Sequence, residues 1–491
     1  MMEIIVFGTG EVGKNAASLL EQDFHILFFV DNDEKKWGTQ FFGYEIKNPV
    51  EIKQYDCDIV IASLRYGIGI ANQIEQMSIS RERIFFFRRF MEEEQYGYEM
   101  YPLIAEKIER IDQDLIQYDL YHTKECKTKC KKVLIFCTFF STYAKQLIEN
   151  ISDRYDDVEF SILTNAETYK YQIKSDQLKH IYCFRTMCDL KTILEQLPVY
   201  DAMQLLWIER EWACFYQLIR MKTRRLNLNV GGSDFYRTDM AEKDFKKNLI
   251  ACADGITAET EGTVAEFSSY YGKEAANKTN LLPFGIEVLE RIDERRAISK
   301  QLLRKKYHIP QDRIIVTCGH NANSEHQHGK LIDALIHLRE EIKKQIVCVF
   351  PMTYPEGCGV YINRIEERLK ETGLTYVILR EFMDFQQMAE YALISDIMLH
   401  VQRTDQLSST MLEEMYAGSV VLAGKWLPYE SLHRMGIFFL DVESVMDITQ
   451  TVEMVVLNIE EYQKRCKGNR DIIHNHSSWD ILASRWHALW E

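Results

Sequence analysis

The chain has 491 residues, 46 % of them apolar and only eight of them proline, which leaves room for about three domains with sizeable cores and describes a folded rather than a disordered protein. A net charge of −15 argues against a nucleic-acid binder that works by whole-surface attraction, because neutralising phosphates needs clustered cations and only local groups such as Lys222, Arg224 and Arg225 supply them. The opening MMEIIVFGTG has no basic n-region, and no stretch of about 18 apolar residues occurs, so the chain is expected to be cytoplasmic. Cys137, Cys183, Cys318 and Cys348 sit inside apolar runs as small hydrophobes; Cys126 and Cys130, among lysines, lack a second pair at zinc-site spacing.

In chain order, EIIVF predicts a buried strand and GTGEVG a turn that opens a helix carrying Ala16, Ala17, Leu19 and Leu20. Gly8 permits the tight turn, Gly10 lets backbone approach a pyrophosphate, and Gly13 lets the helix lie close to the strand. The next strand, HILFFV, ends at Asp31, where a ribose-binding acid is expected. Asp31 and Asp33 could also be a metal-binding Asp-x-Asp, but their place directly after the glycine turn fits a ribose acid and a loop better. The strands DIVIAS and IFFF close this sheet near residue 90. The unit has no Tyr-x-x-x-Lys or equivalent acid/base pair after it, so a nucleotide, NAD or nucleotide-sugar is expected to bind without redox chemistry. Its sequence from Asp31 onward resembles the small N-terminal domain of bacterial sugar-modifying acetyltransferases that bind a nucleotide-sugar there.

Between residues 91 and 130, Ile104, Ile108, Ile111 and Leu115 recur at helical spacing and predict a helical connector. From residue 131 strands and helices alternate again: VLIFCT, VEFSIL, HIYCF, DAMQLLW, LNLNV and DGITA are strands with helices between them, which predicts a parallel sheet whose ligands bind beyond the carboxyl ends of its strands. NVGGSDFYR follows one such end. Asp234 there can orient or deprotonate a sugar hydroxyl, or simply cap the next helix. A third alternation opens with RIIVTCGHNANSEHQHGKLIDAL, in which Gly319 allows close approach and His320, Asn321, His326, His328 and the helix N-terminus can hold a diphosphate. His326 and His328, two apart on one helix, face apart and make poor metal geometry; Arg380 and Arg403 are alternative cations.

The stretch from Asp396 to Gly424 reads strand, turn, helix, turn, strand, with Asp405 and Glu413 eight positions apart across the helix start. It resembles the donor-site signature of GT-B glycosyltransferases of the family 4 type: Asp396, Asp405, Glu413 and Gly418 fall on its positions. Asp405 replaces the usual Glu, Val401-Gln402 the usual Pro-Ser, and His326 the usual Lys. Gly231-Gly232-Ser233-Asp234 resembles the Gly-Ser-Asp turn of the acceptor-side domain, Phe284-Gly285-Ile286 the interdomain crossing, and FPMTYPEGCGVYINRI a segment of bacterial 4-acetamido-4,6-dideoxygalactose transferases. SSWDILASRWHALWE suggests a terminal helix folding back on the other lobe, as GT-B chains do.

The expected architecture is α/β: an N-terminal Rossmann-like module at 1–90, a helical connector at 91–130, an acceptor-side lobe at 131–290, a donor-side lobe at 291–475 and a C-terminal helix at 476–491 packing back on the acceptor-side lobe. The resemblance implies a metal-independent glycosyltransferase with no cofactor for transfer. It would carry a sugar from a nucleotide-sugar to a glycan or lipid-linked acceptor in surface polysaccharide or glycoconjugate assembly, in the cytoplasm or peripherally on the inner face of the membrane. Glu413 would hold the donor ribose, Asp405 the donor sugar, residues 319–321 the phosphates, and Asp234 the acceptor end. Two other readings stay open: a non-catalytic nucleotide-sugar-binding scaffold, and an NAD-dependent sugar-modifying oxidoreductase centred on Gly8 to Gly13.

Overall fold

The computed structural model describes residues 2–63, 67–80, 83–92, 95–102, 118–119, 130–137, 142–165, 173–184, 187–354 and 358–491. The chain separates into two compact units, one formed by Met1–Thr257, Ser268–Asn280 and Leu489–Glu491, the other by Ala258–Phe267 and Leu281–Ala488.

The first unit contains two sheets. In the N-terminal one the strands are β1 (Met2–Phe7), β2 (Phe24–Val30), β3 (Gln40–Phe41), β4 (Tyr44–Lys47), β5 (Asp58–Ile61), β6 (Ile84–Glu92) and β7 (Gln95–Pro102), in the order β3-β4-β2-β1-β5-β6-β7. β1 runs parallel to both β2 and β5. Its alternate residues serve two cores: Ile5 and Phe7 pack with the helix carrying Ile70 and Ile74, and Ile4 and Val6 with the helix carrying Ala16 and Leu20. A strand apolar on both faces is the signature of a doubly covered parallel sheet.

This sheet does not stop near residue 90. β6 continues to Glu92 and β7 runs antiparallel beside it, so 91–92 and 95–102, expected as the start of a helical connector, are strand. The residues explain it: Tyr96, Tyr98 and Met100 alternate with polar or small neighbours at period two, a pattern that suits a strand. Ile104, Ile108, Ile111 and Leu115 lie outside the described residues, as does Cys126. Tyr118–Asp119, also expected as helical, is a short strand, β8, antiparallel to the edge of the next sheet.

That sheet adds β9 (Lys131–Cys137), β10 (Val158–Asn165), β11 (Leu178–Phe184), β12 (Tyr200–Leu206), β13 (Thr223–Asn229), β14 (Gly255–Ala258) and β15 (Thr279–Leu281), in the order β15-β14-β13-β12-β9-β10-β11-β8. The chain winds outward from β9 to β11 and then returns to the other side of β9 with β12, so the direction of winding reverses between β9 and β12. Such a reversal leaves a crevice at the carboxyl ends of the two strands, because their following connections leave on opposite faces.

The second unit is built on β16 (Ile314–Cys318), β17 (Ile346–Pro351), β18 (Tyr376–Leu379), β19 (Ile397–His400), β20 (Val420–Gly424) and β21 (Leu440–Val442), ordered β18-β17-β16-β19-β20-β21, with the paired strands parallel. Val316, Cys348, Leu399 and Leu422 fill the core on one face, while Ile315, Val347, Met398 and Val421 fill the other. Here the winding reverses between β16 and β19.

The expected C-terminal helix is divided between the units. Trp479–Ala488 is helical and clusters with the second unit: Trp486 stacks on Phe284 and donates to the Pro283 carbonyl at 2.9 Å, and Trp479 lies where any Cβ on Gly285 would stand. Only the tail enters the first unit, where Leu489 accepts from Asn227 at 3.0 Å and the edge of Trp490 meets Phe160.

Candidate functional site

In the second unit the carboxyl ends of β16 and β19 bring together the residues that the sequence spreads over 319–328 and 400–429. Gly319, just past β16, has φ +71°, and a Cβ there would stand 3.0 Å from both His326 Cγ and His328 Nε2, so two imidazoles press on a backbone only glycine can provide. The His320 ring lies 4.2 Å from that of His326, and parallel to that of His400 at 6.0 Å. The histidine pair does not ride on one helix as expected. Ser324–His326 forms a separate turn, Gln327 is left-handed at φ +54°, and the helix begins at His328. That reversal turns both rings into one cluster, 5.5 Å apart.

Burial separates their roles. His320 and Asn321 are half-buried, whereas His326, His328 and His400 are buried. Burial pushes the His328 imidazole down to about 3, so it is neutral and serves as packing behind the loop, with Nδ1 and the Tyr361 hydroxyl 3.0 Å apart. Asn321 accepts from the Asn323 amide at 2.8 Å, and Asn323 from the Glu325 amide at 3.0 Å, which braces the loop. Arg403 joins from the other strand end: its amide donates to the Glu325 carbonyl at 3.0 Å, and its buried Nε meets no acceptor among the described residues. Arg380 is engaged instead with Glu366 and Asn363.

Asp405 is half-buried within hydrogen-bonding reach of three partners. His400 Nε2 lies 3.2 Å from Oδ2, the Tyr429 hydroxyl donates to the same oxygen, and the Gln406 amide donates to Oδ1 at 2.9 Å. Burial alone would raise its pKa, but the hydrogen bonds and charge of His400 and the Tyr429 hydroxyl outweigh that and hold it below the usual carboxylate range. Glu413 lies in the helix Ser409–Ala417, whose N-terminus Ser408 caps by accepting from the Met411 amide at 3.2 Å. Burial, and then the neighbouring carboxyl of Glu414, push Glu413 up to about 8. Glu414 is structural: it accepts from the Ser419 hydroxyl at 2.6 Å. Asp396, at the strand start, is also structural, paired with Arg304 at 2.8 Å and accepting from the Ile315 amide at 2.9 Å. The sequence pattern missed His400 and Tyr429, and the only available signal was a polar ring closing the otherwise apolar strand IMLH.

In the first unit, Asp234 is buried below the strand ends. Its carboxylate accepts from the Ile208 amide at 2.5 Å, while Lys246 donates to its backbone carbonyl at 2.8 Å and pairs with Glu242. Burial raises the Asp234 pKa against the pull of Lys246 and the backbone amides. Its contacts are those of a clamp between two strand-end loops. Trp207, which follows β12, is left-handed at φ +62°. A Cβ on Gly231 would stand 1.9 Å from the Trp207 ring.

In the N-terminal module Gly8 has φ +115°, and a Cβ there would meet the Ala62 carbonyl oxygen at 2.7 Å; one on Gly13 would meet the Gly8 carbonyl oxygen at 2.2 Å. Both are steric necessities. Gly10 faces open space, with nothing within 4 Å of its Cβ position, which suits the approach of a ligand. Asp31 is already engaged. It accepts from the Thr9 hydroxyl, from the Thr9 amide at 3.1 Å, from Lys36 at 2.9 Å and from the Asp33 amide at 2.9 Å. Burial raises its pKa, but these donors lower it further. A ribose would have to displace one of them.

Residues 1–85 match the family model described as C2185-like, N-terminal. No curated protein matches the chain. Solved structures do: sucrose-phosphate synthase from Thermosynechococcus elongatus, at TM-score 0.60 and 13 % identity over 73 % of this chain and 98 % of that one; Anabaena HepE in complex with UDP, at 0.55 and 12 % over 73 % and 98 %; and the trehalose 6-phosphate synthase of Burkholderia multivorans, at 0.57 and 9 % over 74 % and 96 %. The chain therefore carries the GT-B glycosyltransferase fold. Among the described residues no helix is long and apolar enough to cross a membrane, and no group of three or more His, Cys, Asp or Glu side chains is arranged to hold a metal.

Proposed function

We propose that the chain is a metal-independent glycosyltransferase that moves a sugar from a nucleotide-sugar donor to a glycan or lipid-linked acceptor, in cytoplasmic surface polysaccharide or glycoconjugate assembly. The observation that carries this reading is the convergence, at the reversal between β16 and β19, of the Gly319 loop and its imidazoles with the bonded group Asp405, His400 and Tyr429. HepE, of like fold, was crystallised with UDP-glucose, which supports a donor of that class here.

In this reading the Gly319 loop, whose own Gly319 amide is bonded to the Leu399 carbonyl at 3.2 Å, offers the His320 and Asn321 amides, and these with the His320 and Arg403 side chains receive the diphosphate and stabilise its charge as it leaves. Glu413, protonated at neutral pH when the site is empty, donates to and accepts from ribose hydroxyls. Asp405, with His400 and Tyr429 fixing it, is oriented toward the donor sugar. Asp234 acts on the acceptor side by holding the loop that follows β12 rather than by touching a hydroxyl. The N-terminal module holds a nucleotide-containing ligand at Gly8, Gly10 and Gly13, while Asp31 locks the turn. Incubation with a panel of nucleotide-sugars, with release of free nucleoside diphosphate as the readout, tests the reading; no release with any donor would defeat it.

The scaffold reading has its own support: Asp405 is held by three protein donors, and His326 is buried where family 4 members carry a Lys. Tight nucleotide-sugar binding without release or transfer would favour it.

A further inference from the structure

We infer that Trp207 is the platform on which the acceptor's sugar ring stacks, so that acceptor recognition rests on an indole held in a strained backbone. The inference rests on the glycosyltransferase reading and deepens it on the acceptor side.

Position is the first argument. β9 and β12 are the strands between which the winding of their sheet reverses, and ligands of open parallel sheets bind beyond the carboxyl ends at such a reversal. Trp207 is the residue directly after β12, and Tyr143 sits in the first turn of the helix Thr142–Ser152 that follows β9. Their rings stand edge to face with centroids 5.9 Å apart. The two rings thus touch each other at the strand ends, each brought there from one side of the reversal.

Conformation is the second. A left-handed backbone, φ +62°, is strongly disfavoured for a bulky aromatic residue and persists only where its surroundings over-determine it. Two contacts do so here. The amide of the next residue, Ile208, is clamped by the buried Asp234 carboxylate at 2.5 Å, and the indole lies against Gly231 so closely that a Cβ there would stand 1.9 Å from its Cδ1 and Nε1. The ring is packed on Gly231 and Tyr143, yet Trp207 is only half-buried although it is the largest kind of side chain. A large apolar ring fixed by backbone strain at the edge of a ligand crevice is an expense the fold does not need: the buried Trp212, from the next helix, already fills the core against Phe136.

Chemistry chooses the ligand. The face of an indole carries negative charge density and the C–H groups of a pyranose face are weakly positive, so the two stack with little loss of entropy because both are rigid. Asp234 is therefore a positioning residue, acting through the Ile208 amide on the angle of the Trp207 ring.

The test uses the full chain, with methyl β-D-glucoside and cellobiose as probes and hexanediol as the apolar control. Saturation-transfer NMR is expected to show transfer to the ring protons of the glycosides and not to hexanediol, and oxidative footprinting of the wild-type chain should show Trp207 protected by the glycosides. Trp207→Ala should lower the transfer at least fivefold, Trp207→Phe should retain part of it, and the affinity for UDP measured by calorimetry should stay unchanged in both. Footprinting needs no variant, so it decides the matter even if Trp207→Ala fails to fold. Unprotected Trp207, no transfer to either glycoside, or full transfer in Trp207→Ala would overturn the inference. Absence of UDP binding in the wild-type chain would instead defeat the glycosyltransferase reading, leaving the footprint to judge Trp207 independently.

Discussion

Asp405 and Glu413 are the two acids of one sequence signature, yet their surroundings shift them in opposite directions and give opposite expected effects of substitution on stability. Asp405→Ala removes the carboxylate that the buried His400 and Tyr429 share and leaves them only each other, 2.9 Å apart, and losing a charge-assisted hydrogen bond costs about 1.5–3 kcal/mol. We expect transfer to fall about ten- to a hundredfold together with a lower urea midpoint. Glu413→Gln removes a carboxyl that burial already disfavours in its charged form, so transfer should fall by a similar factor while stability is kept or improved. Wild-type-like nucleotide release in both variants would remove the donor-site assignment.

The same residues predict a pH dependence. Glu413 and Glu414 are both raised to about 8 from an ordinary value of 4.5, so the folded chain holds protons that the unfolded chain has released. Their contribution to stability is complete below the ordinary glutamate range and is lost as pH rises to about 8, with a slope of at most about 1.4 kcal/mol per pH unit for each proton. Urea midpoints should therefore decline from pH 6 to pH 8, and more shallowly in Glu413→Gln. Asp405 and Asp31, both lowered, act in the opposite direction and only at acid pH.

At the scale of one element, the glycine turn after β1 separates packing from binding. A Cβ on Gly13 would collide with the backbone of Gly8, whereas Gly10 opens to free space. Gly13→Val should therefore lower the thermal midpoint of the N-terminal module and expose it to limited proteolysis. Gly10→Val should fold normally and lose the binding of a nucleotide-containing ligand, while transfer by the remainder of the chain persists. Calorimetry of the full chain with NAD, CoA and nucleotide-sugars checks this, and equal heats in the wild type and Gly10→Val would mean that the turn does not bind. Oxidation of a sugar by the full chain with NAD would overturn the assignment of roles.

For the molecule as a whole, the proposed mechanism places no metal under the diphosphate and leaves its charge to backbone amides, His320 and Arg403. Transfer should continue unchanged in excess chelator, and a loss restored by manganese or magnesium would show a metal-dependent route. Arg403→Ala should raise the donor KM about tenfold or more, as expected for removal of one charged contact, without changing the far-UV circular dichroism.

Much of this molecule is local and was therefore readable in the sequence. Strand-helix alternation, the necessity of Gly8, Gly13 and Gly319, and the Asp405-to-Glu413 spacing all follow from period, backbone sterics and helix geometry, which act over a few residues. What escaped depends on contacts between distant segments or on one unusual dihedral. The antiparallel pairing of 95–102 with 85–92 is decided by which strand edge the segment meets, not by the composition of a short run. The joining of His326 and His328 is decided by a left-handed Gln327, and the partnership of Asp405 with Tyr429 by the return of a loop 24 residues later. Asp234 shows the difference most directly: the sequence could offer an acid at a strand end, but whether it faces a substrate or the Ile208 amide is settled only when burial withdraws its carboxylate from water and the nearest backbone donor takes it.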